Sequence, residues 1–459
     1  MFLPTQNMGQ TEVPDIGSGI GLLDQQKEKL IGEKVYREVH RQMPTIQDAW
    51  LEDQFLQVFS GILSQTQLGQ PIGLVIIKDP QINAFAVPGG LFALNTGLIT
   101  SAKNLDEIAG VMAHEIAHVA QRHYSRSQEA FKGQGLLALA GIIVGAAIAS
   151  QSDSDVGSAV MLGTQAALMD KQLSYSRNQE READRIGMQF MYAAGYNPQS
   201  MADYFETMHR ATSRVSFLPD FWLTHPLTTE RMSEARLRAN QLPQVKSKIY
   251  DLDFDILKWY TQVVSNQATE IQLQALANQK NIAGLLALSK FYLMQGDYAQ
   301  AQSNLDLVKV KLKSHILVPL IQTDIYLGQN KFDQAYDSIS SLQKTMPENR
   351  ALSYKLAEVL IRQGKIDQAQ TLVQRFIRKN QRDIEGWQLL QQATNLDNSP
   401  LQAVNVLCYR AEAEYWSGYE ENAIKSMLHA QRLAKGNLAM SAKIDSRLKQ
   451  MQDDRRMKI

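Results

Sequence analysis

One short segment carries the residue types and spacing of a hydrolytic metal site: His114-Glu115-Ile116-Ala117-His118. Residues i and i+4 of a helix project from one face, so both imidazoles can reach a single ion. The glutamate between them points toward a water at an open coordination position, where it can act as a general base. The pattern therefore predicts a zinc site in which His114 and His118 are ligands and Glu115 is catalytic.

A second segment, residues 179–185, offers the further ligand that a catalytic zinc requires. It places Glu180, Glu182 and Asp184 on one predicted helix, with Glu180 and Asp184 four residues apart. Spacing alone does not decide which glutamate is the ligand. Asp184 is placed to accept a hydrogen bond from the free ring nitrogen of a ligating histidine, which would fix the orientation of that ring. Taken by itself, the same helix would be read as a solvated face with Glu–Arg pairs.

HExxH followed by ExxxD is the pattern of the CAAX prenyl protease and HtpX type of zinc metallopeptidases. The sequence resembles this family at both histidines, at Glu115, and at Glu180 and Asp184, and residues 83–90 are similar to the family's segment before the zinc helix. The resemblance covers roughly residues 70–240. It implies an α+β gluzincin metallopeptidase domain, Glu180 as the third ligand, one zinc ion per chain, and direct hydrolysis of the peptide bond without an acyl-enzyme.

A further histidine, His225, stands beside Pro226 in a predicted loop. A histidine held in this way could reach the metal or the oxyanion. Related sequences carry a His-Pro at a similar distance past the third ligand, so we expect His225 to act near the zinc, either as a fourth ligand or as an oxyanion stabiliser, with Arg231 assisting. The remaining histidines are expected to be structural or surface residues, and they are His40, His123, His209, His315 and His429.

The elements that must position these residues are predicted to be helices with a small sheet. Helical periodicity covers residues 102–121 and 177–194, whereas strand formers dominate residues 72–78 and 84–94. Pro88-Gly89-Gly90 interrupts the second strand-forming run, which indicates a turn between short strands.

The first of those short strands, residues 84–87, is a candidate sheet edge. An extended substrate could lie along it by main-chain pairing. The alternative, which is equally well supported by the sequence, is that residues 84–87 form a core strand with no role in substrate binding.

Beyond residue 250 the sequence repeats with a period of 34, seen at Ala301, Ala335 and Ala369. This period is typical of tetratricopeptide repeats, in which paired helices stack into an α-solenoid with a concave binding surface. The next alanine, Ala423, follows after 54 residues, so about 20 residues around 387–400 are an irregular insertion or a partial repeat. Supporting positions with the same register are Tyr298, Phe332 and Ile366, and Gly296, Gly364 and Gly418.

Length and composition bound the remaining alternatives. A chain of 459 residues is expected to form two domains, here residues 1–248 for the metallopeptidase and 249–459 for the repeats, in a mainly α protein. The 47 basic and 47 acidic residues cancel, which argues against nucleic acid as a partner. Cys408 is the only cysteine, so an intrachain disulfide and a cysteine-based metal site are excluded.

Two features bear on location. The first basic residue is Lys27, so the given N-terminus lacks the start of a secretory signal, and the protein is either cytosolic or already processed. Residues 135–149 are small and apolar but too short for a membrane span. We expect them to form a helical hairpin over the active site or a membrane-facing loop, with a buried structural hairpin as the alternative. A peripheral membrane contact therefore stays open.

Together with the repeats, the resemblance narrows to the periplasmic beta-barrel assembly-enhancing protease group of Gram-negative bacteria. It implies proteolytic quality control of outer-membrane β-barrel proteins in the periplasm, chaperone assistance, and contact between the repeats and the barrel assembly machinery. A binding scaffold or chaperone with a latent peptidase domain is the alternative. A cytosolic peptidase is a third.

Overall fold

The computed structural model describes residues 22–69, 71–123, 177–212, 225–243, 245 and 251–456. The fold is mainly α with one small sheet, as the sequence predicts. The helices that accompany the sheet are α1 (Leu22–Gln42), α2 (Ala49–Leu63), α3 (Thr96–Ser101), α4 (Leu105–Ala120), α5 (Arg177–Ala193), α6 (Pro198–Thr212) and α7 (Thr229–Gln241).

The sheet has four strands in the order β1-β2-β4-β3: β1 (Thr45–Ile46), β2 (Gly73–Ile77), β3 (Ala84–Val87) and β4 (Leu91–Asn95). Strands β2 and β4 are parallel, whereas β3 folds back on β4 as an antiparallel hairpin through the predicted turn. Strand β3 therefore has a strand neighbour on one side only within the described sheet, although all four of its residues are buried.

Helix α4 lies at the centre of the N-terminal half and contacts α2, α5, α6 and β3. Its start is fixed by Asn104, whose side chain accepts a hydrogen bond from the Glu107 backbone N–H at 2.9 Å. Glu107 in turn accepts one from the Lys103 N–H at 2.7 Å. Residues 107–118 are all buried, so the predicted zinc-binding helix runs through the core rather than over the surface.

The repeats form as predicted. The three alanines of the 34-residue register are fully buried on the second helix of each pair, and glycines 296, 364 and 418 end first helices with left-handed φ angles of 77°, 74° and 83°. Asn330, with φ of 58°, fills the equivalent place in the pair that lacks the glycine. The helices of this half are α8 (Leu252–Val264), α9 (Glu270–Asn278), α10 (Ile282–Met294), α11 (Tyr298–Lys309), α12 (Leu317–Gly328), α13 (Phe332–Thr345), α14 (Arg350–Arg362), α15 (Ile366–Lys379), α16 (Ile384–Asn395), α17 (Gln402–Trp416), α18 (Glu420–Leu433) and α19 (Leu438–Arg456).

The longer interval before Ala423 contains two helices, α16 and α17, where a regular interval contains one, and the additional helix α16 packs against α15 and α17. Of the two alternatives for this interval, the partial repeat is therefore the better description. None of the helices in the ranges given above has both the length and the apolar character needed to cross a membrane. The apolar run at residues 135–149 lies outside the described residues.

The repeats dock directly on the N-terminal half. Arg350 of α14 pairs with Glu52 and Asp53 of α2, and Tyr260 of α8 donates a hydrogen bond to Asp48 at 2.6 Å. One buried apolar cluster runs continuously from α2 and α4 through α8, α12 and α14. The boundary at residue 248 stays a prediction, and a shared core crosses it.

A second contact joins α1 to the last repeats. Arg37 pairs with Glu420 at 2.9 Å, and its guanidinium lies 4.4 Å from the Tyr415 ring centroid. Gly418 contacts the Arg37 carbonyl so closely that a Cβ there would lie 2.2 Å from the oxygen. The close approach and the left-handed φ together require glycine at this position.

A cavity of about 70 Å³ lies where α2, β2 and α16 meet, and Glu52 and Glu385 line it. Burial raises the pKa of Glu52 to about 7 and that of Glu385 to about 8, in spite of the nearby Arg350. Both carboxyl groups take up protons more readily in the folded chain than in the unfolded one, so stability falls as pH rises from about 4.5 to 8.

We predict that Glu385→Gln stabilises the protein at pH 9 by about 2–4 kcal/mol, because the substitution removes a carboxylate that is costly to ionise. At pH 5 the gain should disappear, since the native carboxyl is then protonated. Thermal melting at both values measures the effect, with the exposed Asp337→Asn as the control. An equal gain at both pH values would contradict the assignment.

Candidate metal centre

The HExxH residues lie on the buried face of α4. His114, Glu115 and His118 are 1%, 3% and 2% exposed, respectively. The two imidazole Nε2 atoms are 3.0 Å apart, as the i,i+4 spacing predicts for side chains directed at one point.

Helix α5 brings the acidic residues to this face by unusually close packing on α4. A Cβ at Gly187 would lie 2.8 Å from the Ala113 carbonyl oxygen and 2.9 Å from the His114 nitrogen. Only glycine permits this separation of the two backbones. Glu180 and Asp184, two turns and one turn earlier on the same helix, are thereby placed against the histidines, and both are buried.

Four residues direct one ligand atom each at a common point: His114, His118, Glu180 and His225. Glu180 Oε1 is 3.3 Å from His118 Nε2 and 3.1 Å from His225 Nδ1. His225 Nδ1 is also 3.3 Å from His114 Nε2. The structure thus brings together three sequence-predicted ligands and the loop histidine, whereas Glu182 lies outside the cluster.

The donor set fits zinc. A tetrahedral ion with bonds of about 2.0–2.1 Å separates its ligand atoms by about 3.3 Å, which matches the spacings in the cluster. The outer nitrogens of His114 and His118 face other side chains, so their Nε2 lone pairs are directed at each other and at a carboxylate. Such lone pairs repel unless a cation lies between them.

Asp184 and Arg231 hold the cluster from behind. His114 Nδ1–H donates to Asp184 Oδ1 at 2.9 Å, and the Arg231 guanidinium contacts both oxygens of Asp184 at 2.8 Å. Arg231 also reaches Glu180 Oε2 at 2.6 Å. Burial opposes ionisation of Asp184, but Arg231 and the bond from His114 outweigh it and lower the pKa of that carboxyl.

His123 was expected to be structural, and the structure places it against a predicted ligand. Its Nδ1 is 3.0 Å from His118 Nδ1, and its Nε2 is 3.0 Å from Glu182 Oε2. Because His118 needs a free Nε2 to bind a metal, its proton belongs on Nδ1, and His123 Nδ1 accepts the hydrogen bond from that N–H. The proton of His123 is then on Nε2, which donates to Glu182. Helical periodicity does not predict the contact between His118 and His123, because the helix ends between them and Arg122 has a left-handed φ of 50°.

Glu115 lies between the cluster and the sheet. Its carboxylate accepts a hydrogen bond from the Ala86 backbone N–H on β3, and its Oε1 is 3.3 Å from His225 Nε2. Burial raises the pKa of Glu115, against the lowering effect of His225 and His114. The arrangement places one proton acceptor beside a metal site and a sheet edge.

Known proteins similar to this chain share both halves. The sequence model of peptidase family M48 matches residues 45–239, and a tetratricopeptide repeat model matches residues 326–393. A beta-barrel assembly-enhancing protease of Escherichia coli is 28% identical over 448 residues, which cover 96% of this chain and 91% of that protein. A Vibrio cholerae protein given the same name provisionally is 30% identical over 480 residues, covering 96% and 92%.

Other relatives are similar over a shorter part of the chain. A mitochondrial metalloendopeptidase of Schizosaccharomyces pombe is 31% identical over 192 residues, which cover 41% of this chain and 54% of that protein.

We predict that Gly187→Ala destabilises the protein by about 1–3 kcal/mol, because the added methyl group forces α4 and α5 apart. Zinc affinity should fall as well, since Glu180 moves with α5. Urea denaturation and chelator competition measure the two effects. Gly61→Ala, on α2 with no atom near the added Cβ, is the control and should cost nothing. Unchanged zinc affinity in Gly187→Ala would show that the helix separation does not set the site.

We predict that His123→Ala weakens zinc binding about 10- to 100-fold, because His118 loses the acceptor that fixes its tautomer and ring orientation. His123→Asn, whose amide oxygen can accept the same hydrogen bond, should recover part of the loss. Chelator competition measures the affinity, and the exposed His429→Ala serves as the control. Equal affinity in the alanine variant and the native protein would leave His123 a packing residue only.

Proposed function

Because this chain belongs to peptidase family M48 and is a metalloprotease, we propose that it is a periplasmic zinc endopeptidase that acts on outer-membrane β-barrel proteins. It removes chains that are misfolded or stalled and assists the assembly of others. The observation that carries the proposal is the buried cluster of His114, His118, Glu180 and His225 with Glu115 beside it. The names of the relatives that span both halves support the substrate class.

In this proposal His114, His118 and Glu180 hold one zinc ion per chain. Zinc bound there would polarise the scissile carbonyl and lower the pKa of a bound water to about 7. Glu115 takes the proton of the attacking water and passes it to the leaving amine.

Asp184 and Arg231 act through the ligands. Asp184 fixes the His114 ring, and Arg231 balances the charge of the two acidic residues on α5. Both are positioning residues in this scheme, since neither lies beside the point where substrate would react.

His225 is proposed as a fourth ligand that closes the site. Its Nδ1 belongs to the cluster, and its Nε2 faces Glu115, so it occupies the place where a water would stand between ion and base. Substrate cleavage then requires His225 to withdraw. A role as oxyanion stabiliser is the alternative, and it would need the ring near the substrate rather than among the ligands.

Strand β3 is the proposed substrate platform. Ala86 lies opposite Phe92 of β4, and its backbone N–H donates to Glu115, so this N–H faces the open side of the strand. An extended substrate pairing with this edge would run past the base and the metal site. A proline in the strand should therefore reduce proteolysis.

The repeats are proposed to recruit protein substrates or the barrel assembly machinery, because a solenoid of this type presents an extended binding surface. A second candidate function is a binding scaffold or chaperone with a latent peptidase domain. The burial of the whole cluster and the position of His225 favour it, since both keep the site closed.

We predict that Glu115→Gln retains its zinc but lowers casein hydrolysis about 10²- to 10⁴-fold, because the general base is lost. His225→Ala should retain zinc through three ligands and hydrolyse casein faster than the native protein. Metal analysis and hydrolysis rates measured side by side test both. A slower His225→Ala enzyme would instead support the oxyanion role.

Metal without hydrolysis in native protein, Glu115→Gln and His225→Ala alike would favour the scaffold. The two functions separate further in cells that lack the native protein. If Glu115→Gln corrects a barrel-assembly defect in these cells, the defect results from loss of binding. If only the protein with an intact base corrects it, the defect results from loss of proteolysis.

A further inference from the structure

A cleft of about 590 Å³ opens between α1 and the last repeats, far along the chain from the metal centre. Its charged lining residues are five cations and one carboxylate: Lys29, Arg378, Lys379, Arg382, Arg447 and Glu33. The molecule as a whole is neutral, so this cleft is a local excess of positive charge. We name it the basic cleft.

Only some of these cations are neutralised within the protein. Arg447 makes two 2.7 Å hydrogen bonds to Glu412, and Arg382 pairs with Glu33 at 2.6 Å. Lys379 pairs with Glu348 at 2.5 Å. Lys29 and Arg378 are exposed and form no ion pair or hydrogen bond with any residue in the described ranges. The basic cleft therefore retains unbalanced positive charge at its opening.

The wall of the basic cleft also contains donors that lack acceptors. Trp416 is 4% exposed, yet its indole N–H has no acceptor among the described residues, and neither has the buried Nε–H of Arg382. A buried donor without an acceptor costs about 1–3 kcal/mol. A ligand whose oxygen acceptors displaced the side chains that cover these atoms would satisfy both donors.

Two cations of the basic cleft, Arg382 and Arg447, are held around one ring together with Arg37 of α1. The guanidinium carbons of Arg37, Arg382 and Arg447 lie 5.9, 5.8 and 5.9 Å from the Trp416 ring centroid. Cation–π contacts and the ion pairs keep these side chains ordered. A site ordered before binding loses less side-chain entropy when an anion arrives.

We propose that the basic cleft binds an acidic segment of a polypeptide, such as consecutive aspartate or glutamate side chains or a carboxyl terminus. Carboxylates supply the negative charge and the acceptors that the cleft lacks. The volume is that of a recessed site for a few side chains, whereas nucleic acids and membrane surfaces are bound by extended basic faces. The proposal is independent of the peptidase activity, and it specifies an acidic polypeptide as the kind of partner that the last repeats bind.

The test uses the full chain carrying Glu115→Gln, so that no peptide is cleaved, and a fluorescent hexaglutamate peptide with hexaglutamine as the neutral probe. Fluorescence anisotropy should show saturable binding of hexaglutamate, weakening as salt is raised, and none of hexaglutamine. Lys29→Glu/Arg378→Glu should lower the affinity at least tenfold. Lys313→Glu/Lys344→Glu makes the same change in net charge at exposed lysines elsewhere in the repeats and should have no effect.

Equal loss in both double variants would overturn the proposal, because the attraction would then be nonspecific. Binding of phosphatidylglycerol vesicles through Lys29 and Arg378, without binding of hexaglutamate, would overturn it in favour of a membrane surface. Lys29→Gln/Arg378→Gln adds no negative charge and should give a smaller loss, provided that melting shows both variants folded. Full affinity in the glutamine pair and in the glutamate pair would remove the cleft as the site.

Discussion

The close packing of α5 on α4 is the constraint on which the metal centre depends. Because Gly187 lets the backbones approach, the carboxylates of α5 reach imidazoles that α4 carries 60 or more residues earlier in the chain. The neighbouring elements support the α4–α5 contact. Helices α2 and α6 also pack on α4, and β3 lies beside Glu115. The sheet and the helices thus act together as a support for one helix pair.

Charge explains why the cluster tolerates complete burial. Glu115, Glu180 and Asp184 are three acidic groups, and among the described residues Arg231 is the guanidinium that pairs with two of them. With neutral imidazoles, the ionised set lacks two positive charges, which is what a divalent ion supplies. Asp184 and Arg231, which pair with the candidate ligands, therefore adjust both the geometry and the net charge of the site.

The sequence predicts what depends on local spacing. The HExxH histidines and the 34-residue repeats follow from helical geometry, so their placement on α4 and on successive helix pairs could be anticipated. His123 could not, because left-handed Arg122 breaks the periodicity that a helical projection assumes. The docking of Arg350 on α2 joins residues about 300 positions apart, and no local pattern contains that information.

That docking also has a consequence for how the chain is made. Synthesis proceeds from the N-terminus. The acidic residues of α2 therefore meet their partner only when α14 has been synthesised, and Arg37 of α1 meets its partners only when α17 and α18 have been synthesised. The apolar cluster beneath them remains incomplete until then. The N-terminal half would therefore complete its folding only when nearly the whole polypeptide has been synthesised. This order shortens the time during which the newly made protease half is folded without its repeats.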